Sequence, residues 1–274
     1  MTAHYIMRPP SEAFAHALST HPLGHLIDVH EARRQHAEVV AAMRDAGAQI
    51  VMLPEEPALP DAPFVQDTMV SFTRAGDPQG DSALLVLTRP GAPSRHPEVP
   101  SVAAVAEGLV SPDCARLTVV APGTLDGGDV LVWHDKVVIG LSGRTNEAGA
   151  TQLQAAVEAL GYRVWLCPVS DGRLHFASAI TVVRPARLIG TVVGFADLDA
   201  VDWHILDEVD RVLIPDEELP AHNVLPVNDR VLIPAGNPVA GAMLRDRGEH
   251  VVEVEYEQFI RADAGLTCLV GLVH

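Results

Sequence analysis

Short runs rich in valine, isoleucine and leucine alternate along this chain with longer amphipathic stretches, the pattern of β-strands punctuated by helices. Residues 31–46 predict a helix that stops at Gly47, since glycine accepts the left-handed backbone on which helices end. Residues 49–53 follow as a strand. Strands are also predicted over 68–73 and 82–88, joined by the turn-rich segment Ala75-Gly76-Asp77-Pro78-Gln79-Gly80. Residues 129–133 and 137–141 read as a hairpin around His134-Asp135-Lys136. A helix over 146–160, a strand over 163–167 and a second hairpin, 179–183 with 187–193, continue the rhythm. Two strands, a helix and a strand fit an α/β fold of repeated ββαβ modules better than a simple parallel βαβ series. Arg211-Val212-Leu213-Ile214-Pro215 recurs as Arg230-Val231-Leu232-Ile233-Pro234, although two copies of a pentapeptide are thin support for a repeat. No Gly/Ser linker divides the chain, so residues 1–274 are expected to form one domain.

Composition narrows the function. Hydrophobic residues at 48% and charged residues at 20% mark a globular chain long enough to bury a large core. A formal charge of −17 argues against nucleic acid and favours a cationic ligand. Aromatics, at 4%, are too sparse for a base-stacking platform or a sugar-binding groove. Cys114, Cys167 and Cys268 are too scattered for a disulfide framework or a thiolate zinc site. The opening Met1-Thr2-Ala3-His4-Tyr5 lacks a signal-peptide core, and no apolar run approaches the roughly 18 residues of a membrane span. The expectation is a cytoplasmic protein that engages neither membrane nor nucleic acid. A homodimer is admitted, not required.

The chemistry-bearing residues lie in separated stretches, each flanked by strand-like sequence. Leu266-Thr267-Cys268-Leu269 offers a thiol, which is nucleophilic only as thiolate and therefore needs a positive neighbour or a cationic substrate. His175, in Leu174-His175-Phe176-Ala177-Ser178, stands out among 13 histidines by following the turn signal Asp171-Gly172 and preceding a strand. An imidazole there suits proton donation to a leaving amine and then activation of water. Asp126 precedes Gly127-Gly128 and is placed to orient His175 and favour its protonated form, though the same residues also make ordinary turns. Asp61 and Asp67 bracket Pro63-Phe64-Val65-Gln66 and suit planar pairing with a guanidinium. Arg95 and Arg144, in loops, suit a carboxylate. His21, His25 and His30 cluster, but Pro22 and Gly24 break the helix that would align a metal pair, so no metal is expected. One nucleophile, one acid/base and several carboxylates point to covalent chemistry on an amidine or guanidine carbon.

In order along the chain, several motifs resemble those of one family. They are Asp28-Val29-His30-Glu31-Ala32-Arg33-Arg34, Leu59-Pro60-Asp61, Thr88-Arg89-Pro90-Gly91-Ala92-Pro93-Ser94-Arg95, Leu125-Asp126-Gly127-Gly128-Asp129-Val130-Leu131, Gly140-Leu141-Ser142-Gly143-Arg144-Thr145-Asn146 and Leu266-Thr267-Cys268. The family is that of the dimethylargininases, in the guanidino-group-modifying or arginine deiminase superfamily. The resemblance implies a five-bladed ββαβ propeller, the pentein fold, with its site in the central channel. It implies Cys268 as nucleophile, His175 as general acid/base, Asp126 beside that histidine and Asp67 on the substrate guanidinium. Asp61 is implied at the amino-acid end, with Arg95 and Arg144 on the carboxylate. The implied reaction takes methylated arginine, a small cationic amino acid, through an S-alkylthiouronium on Cys268 to citrulline and an amine, with no cofactor.

Three positions depart from the family pattern. Gln66, expected beside the guanidinium, stands where a relative often has Glu; Ala264 replaces a glycine, and Ala177 a lysine of some relatives. Arginine deiminase, amidinotransferase and a non-catalytic guanidino-compound binder are the rivals. The first is typically longer, and the last would have lost Cys268, His175 or Asp126.

Overall fold

In the computed structural model, which describes residues 3–77, 79–170, 172–202 and 204–274, the same unit is built five times. Met1, Thr2, Pro78 of the first turn segment and Asp171 ahead of His175 lie outside the described residues. In the first unit β1 (His4–Met7) leads through α1 (Val29–Asp45) to β2 (Gln49–Met52), which lies parallel to β1. The second has β3 (Met69–Phe72) antiparallel to β4 (Leu84–Leu87), then α2 (Val99–Leu109) and β5 (Ala115–Thr118) parallel to β4. The third repeats this with β6 (Val130–Trp133), β7 (Lys136–Leu141), α3 (Glu147–Glu158) and β8 (Arg163–Pro168). The fourth uses β9 (Ile180–Arg184), β10 (Arg187–Gly190), α4 (Val192–Val201) and β11 (Asp210–Leu213). The fifth uses β12 (Leu225–Val227), β13 (Arg230–Pro234), α5 (Pro238–Arg245) and β14 (His250–Val254). A short α6 (Glu257–Ile260) then leads to β15 (Gly271–Val273), which returns to the first unit antiparallel to β1, pairing Ile6 with Gly271.

The core explains why these units form a ring. Apolar side chains gather in clusters, and each cluster fills a seam between neighbouring units. Phe72 and Val86 meet Ile139 and Leu153 between the second and third; Trp133 and Cys167 meet Ile180 and Leu198 between the third and fourth. Ile189 and Val212 meet Ile233 and Leu244 between the fourth and fifth; Leu232 and Val254 meet Met7 and Met43 between the fifth and first. Ile6 and Val273 meet Met69 and Leu85 between the first and second, which closes the circle. Each large side chain buried in a seam contributes about 1.5–3 kcal/mol, so each unit draws much of its stability from its neighbours. Five ββαβ blades therefore stand as a propeller.

Local chemistry sets the boundaries. Asp28 Oδ1 accepts the Glu31 N–H at 3.1 Å, so α1 starts at Val29, two residues before the sequence pattern suggests. Gly47 adopts φ +84°, as a helix-ending glycine should. The strand expected over 187–193 stops at Gly190, because Thr191 Oγ1 accepts the Gly194 N–H at 3.1 Å and turns the chain into α4. The recurring pentapeptide occupies two different seats, the outer strand β11 and the central strand β13, so it is not a module repeat. Among the described residues, no helix is long and apolar enough to cross a membrane.

Candidate active site

The first strand of every blade is entered through a short 3-10 segment, and these segments converge. Val65–Thr68 presents Asp67 ahead of β3, Gly127–Asp129 follows Asp126 ahead of β6, and Phe176–Ser178 follows His175 ahead of β9. Leu266–Leu269 presents Cys268 ahead of β15. Asp61, Asp67, Arg95, Arg144, His175 and Cys268 line one narrow cavity of about 20 Å³, roughly the room of a single water. His175 and Cys268 also line an adjoining recess of about 470 Å³, large enough for an amino-acid substrate. Six of the eight residues singled out from the sequence thus meet around one space.

Glycine permits the close approach. A Cβ on Gly128 would lie 2.8 Å from His175 Nδ1 and 2.9 Å from Asp67 Oδ1, and one on Gly127 would lie 1.9 Å from the Gln66 carbonyl. Asp126, fully buried, anchors the imidazole: its Oδ2 lies 2.9 Å from His175 Nε2, while Oδ1 accepts the Gly91 N–H at 2.7 Å. Asp67 Oδ1 accepts the Gly128 N–H at 3.0 Å and lies 3.9 Å from His175 Nε2. Asp129 holds the histidine segment from behind, accepting the Phe176 N–H at 2.8 Å and the Ser142 hydroxyl at 2.7 Å. Asp61 Oδ1 accepts the Leu18 N–H at 3.0 Å.

Charges in this buried space govern protonation. Burial alone would lower the His175 pKa, but Asp67, Asp126 and Asp129 outweigh it and push the imidazole up to about 9. Burial, reinforced by the Asp67 carboxylate, pushes the Cys268 thiol up to about 12. Asp67, despite a burial that opposes ionisation, is held below the usual carboxylate range by His175 and Arg95. Near neutrality the site therefore pairs a neutral thiol with an imidazolium, and a cation arriving beside Asp67 is what would release the thiolate.

Two placements depart from expectation. The Arg95 guanidinium is buried and engaged: Nη1 meets Asp67 Oδ2 at 2.5 Å, Nε and Nη2 grip Glu98, and Nη2 also donates to the Phe64 carbonyl at 2.9 Å. A carboxylate ligand must share it with those partners. Arg144 is half-buried at the cavity wall and engages no carboxylate within salt-bridge distance among the described residues. Gln66 does not face this cavity. Successive residues of a 3-10 turn point in different directions, so Asp67 turns inward while Gln66 Oε1 accepts the Thr267 hydroxyl at 3.0 Å beside a different cavity, of about 430 Å³. Asp67, Asp126 and His175 have ligand-type atoms within 4.8 Å of one another. Arg95 and the imidazolium already supply positive charge there, and all four carboxylate oxygens accept hydrogen bonds, so a metal would have to displace them.

Sequence reasoning missed Glu98, which fixes Arg95 and is pushed by burial up to about 7 despite that partner. The i, i+3 spacing of Arg95 and Glu98 was its one signal. It also gave Asp129 no role, although Asp129 closes the Gly-Gly-Asp motif.

No protein-family model matches the chain. It is 36% identical to the N(G),N(G)-dimethylarginine dimethylaminohydrolase of Streptomyces coelicolor over 264 residues, 96% of this chain and 94% of that one. The protein of that name from Pseudomonas aeruginosa is 28% identical over 269 residues, 98% of each. A solved structure of the Pseudomonas aeruginosa protein, a cysteine-to-serine variant complexed with citrulline, superposes with a TM-score of 0.87 at 27% identity over 99% of both chains.

Proposed function

This chain belongs to the dimethylarginine dimethylaminohydrolase family, and we propose that it hydrolyses Nω-methylated arginines to citrulline and dimethylamine or methylamine. The observation that carries this reading is the convergence of Cys268, His175 and Asp67 on one buried space, with Asp126 bonded to His175 behind it, each from the segment that enters the first strand of its blade. Residues 1–274 act as one catalytic domain. The three free cysteines suit a reducing cytoplasm.

The substrate guanidinium sits against Asp67, its amino-acid end near Asp61 and the Leu18 backbone, its carboxylate toward Arg144. Arg95 contributes by holding Asp67 in place and reaches the carboxylate only by loosening one of its own ion pairs. The positive substrate offsets the charge that keeps Cys268 protonated, and because His175 already holds its proton the thiol proton passes to bulk water as substrate binds; the thiolate then attacks the guanidinium carbon. His175, as imidazolium, gives its proton to the departing amine, leaving an S-alkylthiouronium on Cys268. The neutral imidazole next takes a proton from water as that water attacks the same carbon, and citrulline leaves as the C–S bond breaks. None of these steps calls on a cofactor.

The test is to incubate the purified protein with asymmetric dimethylarginine, monomethylarginine and arginine, quantifying citrulline and the released amine. Citrulline with stoichiometric dimethylamine, and much less product from arginine, is the expected result. Ammonia from arginine alone would replace the reading with a deiminase. Cys268→Ser should bind substrate and release no product; turnover equal to the parent would sink the covalent route.

A further inference from the structure

Four of the five segments that enter the blades carry the chemistry described above. The fifth, Asp216–His222 ahead of β12, delivers Asn223, which is 1% exposed. Its amide uses both ends. Oδ1 accepts the Thr267 backbone N–H at 2.9 Å, while Nδ2 donates to Thr267 Oγ1 at 3.0 Å and to the Ala177 carbonyl at 3.3 Å. Having accepted from the amide, the Thr267 hydroxyl donates its own proton to Gln66 Oε1. Gly265 lies against the same side chain: a Cβ there would come within 2.2 Å of Asn223 Cγ. One planar group therefore touches the segment before Cys268 on one side and the segment after His175 on the other.

We infer that Asn223 is a positioning residue for the hydrolase, the joint of an Asn223–Thr267–Gln66 relay that sets the Cys268 sulfur against the His175 ring. The inference rests on the proposed reaction only for its turnover assays. Cys268 follows Thr267 directly, and Ala177 lies two residues beyond His175, so rotation or loss of the amide changes the gap between nucleophile and acid. Neither aspartate nor alanine offers the same three contacts. Aspartate keeps the acceptor but sets a carboxylate oxygen against the Ala177 carbonyl; alanine leaves the half-buried Thr267 N–H without its partner. Gln66 acquires a role here as well. It ends the relay as an acceptor and needs no charge to do so.

The experiment compares the parent with Asn223→Ala, Thr267→Val, their double variant and Thr267→Ser, all confirmed folded by thermal melting. Two readouts apply: kcat and KM on asymmetric dimethylarginine, and the rate at which iodoacetamide labels Cys268, followed by peptide mass spectrometry. The expected result is a fall in kcat of about 10–100-fold for Asn223→Ala and Thr267→Val, with KM within about threefold. The labelling rate should shift in both, the double variant should lose little more than the worse single, and Thr267→Ser should recover most of kcat. Folded Asn223→Ala and Thr267→Val with kcat and labelling near parental overturn the inference, as do losses that multiply in the double variant. If Asn223→Ala does not fold, Thr267→Val against Thr267→Ser decides. Labelling needs no substrate, so a parent that makes no citrulline refutes the proposed reaction while labelling still tests the relay.

Discussion

Replacing Asp67 by Asn should make the thiol more reactive and the enzyme less active. The thiol stands about three units above its ordinary 9.0, at about 12, which opposes the thiolate by about 4 kcal/mol. Burial is the larger cause and survives the substitution; the Asp67 charge is the next and is removed. Two unit charges at a generic separation of about 6 Å, in an effective dielectric of about 20, interact by about 3 kcal/mol, or about two pKa units. Because burial dominates, a fall of about 1–2 units is expected, so the thiolate fraction near neutrality rises about 10–100-fold. Arg95 keeps Glu98 when Asp67 loses its charge, so the fold should lose no more than the roughly 3–5 kcal/mol typical of a broken buried pair. Turnover moves the other way: a substrate guanidinium deprived of its carboxylate forfeits a charged hydrogen bond of about 1.5–3 kcal/mol, about 10–100-fold in kcat/KM. Iodoacetamide labelling of Cys268 and citrulline release, measured on one folded preparation, read both effects. Labelling that slows in parallel with turnover would mean that Asp67 sustains the thiolate, and the electrostatic account of the site would fail.

Further expectations rest on the same charges. Asp126→Asn removes the carboxylate 2.9 Å from His175 Nε2, and NMR titration of the imidazole should show its midpoint about 1–2 units below the parental value near 9. An unmoved midpoint would assign the shift wholly to Asp67 and Asp129. The folded His175 pKa of about 9 exceeds the ordinary 6.5, so its stabilisation is full below 6.5 and lost as pH rises through 9. Urea midpoints should decline across that window, by up to about 3 kcal/mol in unfolding free energy, and decline less in Asp126→Asn. Gly128→Ala, whose Cβ would press on His175 Nδ1 and Asp67 Oδ1, should lower kcat at least about tenfold in a folded protein; parental kcat would mean the ring and the carboxylate yield freely.

The sequence exposed this site unevenly, for physical reasons. Cys268, His175 and Asp126 stand in turns with their own signatures, a glycine pair or a terminal Leu-Thr-Cys, and the same turns bring them together in space. Asn223 sits in Ala221-His222-Asn223-Val224, where an asparagine before a strand signals nothing beyond loop chemistry. Its partners are Ala177 and Thr267, far along the chain in both directions. The direction of Gln66 was hidden because a one-residue step in a 3-10 turn reverses which cavity a side chain faces. Arg95 looked like a ligand-binding arginine; its commitment to Asp67 depends on a contact across the second blade that no local pattern encodes. At the strand level, Thr191-Val192-Val193 favours extended backbone by residue type, and only the hydroxyl of Thr191 capping Gly194 turns it into a helix start.

The pairing of β15 with β1 ties catalysis to the completion of folding. Ile6 meets Gly271 across nearly the whole chain, so this pairing, which completes the first blade, has the largest loop-closure entropy of any strand pair in the ring. The thiol lies just ahead of that strand. A molecule with its other blades assembled but β15 undocked holds the acid/base in place and has no nucleophile beside it, and is therefore silent toward substrate. Activity regained during refolding should thus report completion of the first blade by β15 rather than formation of the bulk of the structure. A cut in the chain between α6 and Leu266 would likewise divide the protein into an inert scaffold and a short peptide bearing Cys268 and β15, with hydrolysis returning only when that strand is docked.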